Sequence, residues 1–104
     1  MNSKKLFKFA KEIFPIYRSI TGEGVRKTLR ILKKKNPLIK IKSIASGKKI
    51  FDWRIPLEWK INDAYIVTPS GKKICDIKKN NLHLVSYSER VNKYLKYYEL
   101  IKRL

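Results

Sequence analysis

Leu29-Arg30-Ile31-Leu32-Lys33-Lys34-Lys35-Asn36-Pro37-Leu38-Ile39-Lys40-Ile41-Lys42 is where the apolar period of the chain changes. Upstream, Val25, Leu29 and Leu32 recur at helical spacing and predict a helix from about Gly22 to Lys35, stopped by Asn36-Pro37. Downstream, Ile39, Ile41 and Ser43 alternate with Lys40, Lys42 and Ile44, the period of a strand. Toward the start, Leu6, Phe9, Ala10, Ile13 and Phe14 mark an earlier helix. Pro15 closes it, because the residue before a proline is pushed out of the helical region. Thr21 is the expected N-cap of the second helix, its hydroxyl accepting from a free backbone N–H.

Toward the other end, Ser46-Gly47-Lys48-Lys49 reads as a turn and Ile50 to Arg54 as a short strand, which Pro56 places at an edge or bend. Trp59 to Thr68 is the longest strand candidate, and Pro69-Ser70-Gly71-Lys72 is a turn. Ile74 to Ile77 and Leu82 to Tyr87 then flank a loop as a hairpin. Pairing Ile77 with Leu82 sets Asp76 opposite His83 on one face and leaves Cys75 on the apolar other. Tyr97, Leu100, Ile101 and Leu104 predict an amphipathic helix over Tyr94 to Leu104. The fold class is therefore α+β: two N-terminal helices, a small antiparallel β-rich subdomain and a C-terminal helix. The boundary falls between residues 1–36 and 37–104.

Composition limits the function classes. A chain of 104 residues makes one domain at most. Its 26 basic and 8 acidic residues give a net charge of +18, which draws polyanions. Yet 20 of the 26 are lysines spread over the whole length, where arginine is the usual choice for bidentate phosphate and base contacts. Nucleic acid is thus a partner to consider but not the favoured one. Met1 to Ala10 contains no apolar run, so neither a secretory signal nor a membrane span is expected there. A single cysteine cannot form an internal disulfide, and the cytoplasm is the expected compartment.

Several chemistries lack their residues. Gly47-Lys48-Lys49 and Gly71-Lys72-Lys73 have neither the earlier glycine nor the following hydroxyl of a phosphate loop. One histidine and one cysteine cannot supply a zinc site, and the scattered carboxylates do not replace them. No catalytic residue and no metal ligand is expected. The candidate binding residues are Arg18, Ser19 and Thr21, in a loop opening onto a helix N-terminus where Gly22 and Gly24 leave amides accessible to an anion. A capped helix explains the same residues. Trp53 is a further candidate, since Trp53 and Trp59 flank Pro56 and either line a groove or anchor a bend. Asp76 and His83 are expected to be a structural pair.

Arg18-Ser19-Ile20-Thr21-Gly22, Phe51-Asp52-Trp53 and Tyr87-Ser88 stand in an order that neither charge nor periodicity would produce. The set resembles the opening of a bacterial zinc-aminopeptidase-like family, with an inserted β-rich domain of unknown function and genes often beside those for polysaccharide biosynthesis. Ala45 and Lys48 depart from it, standing where the family tends to have Pro and Thr. The resemblance implies that residues 1–36 open an α/β aminopeptidase-like domain and that 37–104 are an incomplete β-rich insert. The family's His, Asp and Glu zinc ligands lie beyond the position matching Leu104, so none is carried over. The implied function is the N-terminal part of a hydrolase, not catalytic by itself, that shapes or covers the active site. Zinc and a peptide-like substrate would belong to the full-length protein, and the partner would be the remainder of the peptidase domain. The alternative is a stand-alone basic module binding nucleic acid or another polyanion. No membrane partner is expected.

Overall fold

Helix α1, Ser3–Ile13, begins where the Asn2 side chain accepts from the Lys5 amide at 2.9 Å, an N-cap that satisfies one free donor of the first turn. It ends just before Phe14-Pro15, as the sequence predicts. Helix α2, Glu23–Lys35, carries Glu23 in its first turn and Lys33, Lys34 and Lys35 in its last, the charge order that a helix dipole favours. Lys35 ties the two helices, lying 3.5 Å from Glu12 and 4.8 Å from the centre of the Phe9 ring. The computed structural model describes residues 2–104.

The β region consists of two antiparallel ladders. In the first, β1 (Lys49–Ile50) pairs with β2 (Trp53–Arg54), with Ile50 opposite Trp53 across the turn Phe51-Asp52. In the second, β3 (Ile66–Val67) pairs with β4 (Lys73–Ile74), and the Gly71 turn between them takes a φ of 80°. A single 3-10 turn, Asn81–His83, follows, and α3 covers Tyr97–Ile101. The architecture is α+β. No helix among the described residues is long and apolar enough to cross a membrane.

Several expected strands are shorter or absent. Residues 38–43 alternate as a strand should, yet no strand forms there, because no neighbouring edge receives their backbone groups. The candidate over residues 59–68 contributes only Ile66–Val67. Residues 50–54 are a hairpin in themselves and not one strand. The hairpin expected between residues 74–77 and 82–87 does not form. Cys75 turns into the left-handed region at φ 50°, and the Asp76 and Asn80 carboxyl and amide oxygens accept from the Lys78 and Leu82 amides, closing polar turns instead. The last helix is five residues and not the full 94–104 span.

No apolar side chain among the described residues is fully buried. Among the described residues Gly22 and Thr28 are the buried positions. The radius of gyration is 17.9 Å, against about 13 Å for a compact domain of this length. The extents of 52 × 43 × 19 Å describe a plate. It exposes 9681 Å², against about 6,100 Å² for a folded monomer of this mass. Leu6 and Phe7 on α1 and Phe14 just past its end are all more than half exposed.

Candidate functional site

The segment between α1 and α2 holds the sequence together by short-range geometry and long-range bonds. Gly22 adopts φ 139°, a backbone that L side chains rarely adopt, and this places Ser19 and Thr21 against a distant stretch of chain. The Ser19 hydroxyl donates to the Thr21 carbonyl at 2.5 Å and lies 3.3 Å from the Trp59 carbonyl. Thr21 Oγ1 and the Tyr87 hydroxyl are 3.0 Å apart, and Tyr87 donates to the Leu57 carbonyl at 3.0 Å. Thr21 Oγ1 also lies 3.5 Å from the Leu57 carbonyl, so the two hydroxyls, with one proton each, share that acceptor and each other.

Trp59 is the hub. Its ring centre lies 5.9 Å from that of Tyr17 and 6.0 Å from that of Tyr87, and its indole N–H donates to the Ser88 carbonyl at 3.2 Å. Aromatic pairs at such spacings add stabilisation beyond the area they cover. Tyr17 in turn donates to the Leu84 carbonyl at 2.8 Å, and burial raises its phenol above the ordinary value. Asn81 Nδ2 donates to the Phe14 carbonyl at 2.5 Å. Three stretches, residues 14–22, 57–59 and 81–88, thus meet in one joint.

Charge closes its rim. Arg26 binds both oxygens of Glu58 and donates from Nε to Glu23 at 2.8 Å, while Arg30 reaches the other Glu23 oxygen at 3.0 Å. Hydrogen bonds from Arg26 hold the Glu58 carboxyl below its usual range, and bonds from Arg26 and Arg30 do the same for Glu23. All four groups are solvent-exposed, so the network orients α2 more than it stabilises it.

The joint absorbs most of the residues that the sequence marked for binding. Thr21 is not the N-cap. That position is Gly22, which makes no side-chain cap, because the Thr21 hydroxyl is turned to Tyr87. Arg18 donates to the Ile13 carbonyl at 2.7 Å, at the end of α1, and lies 3.4 Å from the Thr28 hydroxyl on α2. It pairs with no glutamate. The α2 N-terminus carries the Glu23 carboxylate in its first turn. Trp53 sits apart on the β1–β2 hairpin, 53% exposed. Of the two tryptophans only Trp59 is an anchor.

Asp76 and His83 are not a pair. With the expected hairpin unformed, Asp76 Oδ1 accepts from the Lys78 amide at 2.9 Å, and His83 lies exposed in the 3-10 turn. Cys75 is half-buried. Among the described residues no three His, Cys, Asp or Glu side chains converge where they could hold a metal ion. These residues do not fit zinc. Two open surface clefts, one beside Phe9 and Lys35 and one beside Leu95 and Arg103, are lined by none of the expected binding residues.

Tyr17 and the Arg26–Glu58 pair escaped sequence reasoning. The signal available was the position of Tyr17 immediately before the Arg18 motif, and of Glu58 beside Trp59.

A family model described as a domain of unknown function, DUF4910, matches residues 7–103. The chain is also 51% identical over 89 residues to a Clostridium acetobutylicum protein whose name refers to polysaccharide biosynthesis and to an aminopeptidase-like domain. That match covers 86% of this chain and 20% of the relative, so the chain spans about a fifth of the relative's length. No solved structure matches the chain.

Proposed function

Because the chain belongs to the DUF4910 family, we propose that it is the amino-terminal part of a zinc-aminopeptidase-like hydrolase and shapes or covers the active site of a longer protein. It supplies neither metal ligands nor catalytic residues. Residues 1–36 are then the helical opening of the aminopeptidase-like domain, and 37–104 are part of its β-rich insert. The longer protein works on a peptide-like substrate in the cytoplasm.

The observation supporting this reading is the plate's excess surface. It exposes about 3,500 Å² more than a compact monomer of its mass. Permanent interfaces bury about 2,000–5,000 Å² counted over both partners, so the plate alone exposes enough. The exposed Leu6 and Phe7 on α1, Phe14 just past its end, and Tyr97, Tyr98 and Ile101 on α3 are the apolar surface such packing would cover. Ser19 and Thr21 serve the joint in this reading. Arg18, exposed beyond its bond to Ile13, and Trp53 remain the side chains of the candidate set that could touch substrate.

The test uses the full-length Clostridium acetobutylicum relative. Its matching 89 residues are replaced by those of this chain, and a second version lacks them. Hydrolysis of aminoacyl-p-nitroanilides, its loss on chelation and thermal melting are measured for each. The reading requires that the chimera melt in one transition and retain chelator-sensitive hydrolysis, and that the deletion lose both. A deletion that melts and turns over like the parent overturns it.

A further inference from the structure

Two kinds of contact join the helical opening to the β-rich segment, and they hold different things. The aromatic stack of Tyr17, Trp59 and Tyr87, and the bonds made by Phe14, Tyr17, Ser19 and Thr21, all end on residues 14–22, the loop before α2. Helix α2 itself has one polar link to residues 37–104 among the described residues, the fork of Arg26 on both oxygens of Glu58. Its stripe of Val25, Leu29 and Leu32 is only half-buried, and apolar contact is non-directional. The loop is therefore anchored at many points, whereas the direction of α2 against the β-rich segment rests on one pair.

That pair is built to fix direction. Two N–H···O bonds from a planar guanidinium set an angle as well as a distance, where a lysine would set the distance alone. The guanidinium is also held from behind. Its Nε donates to Glu23 at 2.8 Å, and Arg30 holds the other oxygen of Glu23 at 3.0 Å, so three side chains of α2 lock one another. Glu58 in turn stands between Leu57, whose carbonyl accepts from Tyr87, and Trp59, the hub of the stack. A movement at the fork is thus passed directly to the joint. The Arg26 and Glu58 side chains are 44% and 47% exposed, so the fork adds little stability.

We propose that Arg26 and Glu58 are positioning residues, a fork that sets the angle of the β-rich segment against α2. With α2 in the aminopeptidase-like domain and the β-rich segment in its insert, the fork decides how the insert stands over the active site. That consequence rests on the preceding reading, but the angle itself does not. Neither residue is catalytic. Both act through residues 57–59 of the joint.

The experiment measures the distance between two nitroxide labels on the chain by double electron–electron resonance. The labels are carried by Lys34→Cys, exposed in the last turn of α2, and Lys79→Cys, exposed in the turn after Asp76, with Cys75→Ser removing the native thiol. With the fork intact the distance distribution should be narrow. Arg26→Lys keeps the charge and loses the fork, and Glu58→Gln keeps the length and loses the charge. Each should broaden the distribution about twofold or more, because a single bond leaves the angle free. The urea midpoint should meanwhile stay within about 1 M of the parent's. Glu12→Gln, which breaks the exposed pair with Lys35 instead, should leave the distribution narrow. In the chimera with the relative, Arg26→Lys and Glu58→Gln should each lower kcat/KM for aminoacyl-p-nitroanilides about tenfold, with melting nearly unchanged. The proposal falls if the Glu58→Gln distribution is no broader than the parent's, or if Glu12→Gln broadens it as much. It also falls if the chimera turns over equally with and without the fork, or if the fork variants lose far more stability than an exposed pair supplies. A chimera that hydrolyses nothing with the fork intact overturns the preceding reading instead, and the distances alone then decide the angle.

Discussion

Replacing Gly24 with alanine tests the joint at its tightest point. A Cβ there would sit 1.8 Å from the Tyr17 carbonyl oxygen, 2.9 Å from its carbon and 3.3 Å from Arg18 Cα. All three obstacles are backbone, so no side chain can swing away. The first turn of α2 must withdraw by about 1.5 Å before ordinary contact is restored. That movement breaks the geometry of the Arg18 and Thr28 contacts and of the Thr28 bond to the Gly24 carbonyl at 2.9 Å. Lost hydrogen bonds cost about 0.5–1.5 kcal/mol each, and overpacking adds about 1–3 kcal/mol. The better helix propensity of alanine returns at most about 1 kcal/mol. The net loss is about 3 kcal/mol. In urea, followed by tryptophan fluorescence and far-ultraviolet circular dichroism, the midpoint should fall by roughly 2–3 M at a slope of about 1 kcal/mol per molar. Gly47→Ala is the control, since nothing lies within 4 Å of its Cβ and only the φ of 81° opposes it, at about 1 kcal/mol. A Gly24→Ala midpoint equal to or above that of Gly47→Ala would refute the reasoning.

Tyr87→Phe keeps the ring on Trp59 but removes the hydroxyl shared with Leu57 and Thr21, and should cost about 1 kcal/mol in the same urea measurement. Adding Thr21→Val to it should cost less than the sum of the two single changes, because both remove one bond. Acid should loosen α2. The Glu23 and Glu58 carboxyls are held below their unfolded value of about 4.3, so their contribution is present above that pH and is lost as pH falls through the depressed folded values. Arg26→Gln should flatten this dependence between pH 5 and pH 3, roughly the span in which carboxylates titrate, read as melting temperature against pH.

The helices were legible because their information is local. The stripes of Phe9 and Ile13 and of Leu29 and Leu32, with Pro15 and Asn36-Pro37 as stops, set α1 and α2 nearly to the residue. The strands were not, because a strand is defined by its partner. Residues 38–43 have the right alternation and no edge to join, while Ile66–Val67 pair with Lys73–Ile74 across a turn that Pro69 and Gly71 announce. The motif beginning at Arg18 was visible as unusual, but its bonds run to residues 57, 59 and 87, and no local pattern specifies those. Thr21 shows the difference. Locally it is a fine cap, and the phenol of Tyr87 outcompetes that use.

The joint also orders events in time. Tyr17 meets Leu84, Phe14 meets Asn81 and Thr21 meets Tyr87, separations of 67, 67 and 66 residues. Helices of this length relax in about a microsecond, but a ribosome adds roughly 5–20 residues per second. For several seconds of synthesis α1 and α2 exist without the residues that fix the segment between them. During that interval Ser19, Thr21 and the Tyr17 ring are open to water and to other chains. The nascent protein acquires its joint only when residues 81–88 have left the ribosomal tunnel.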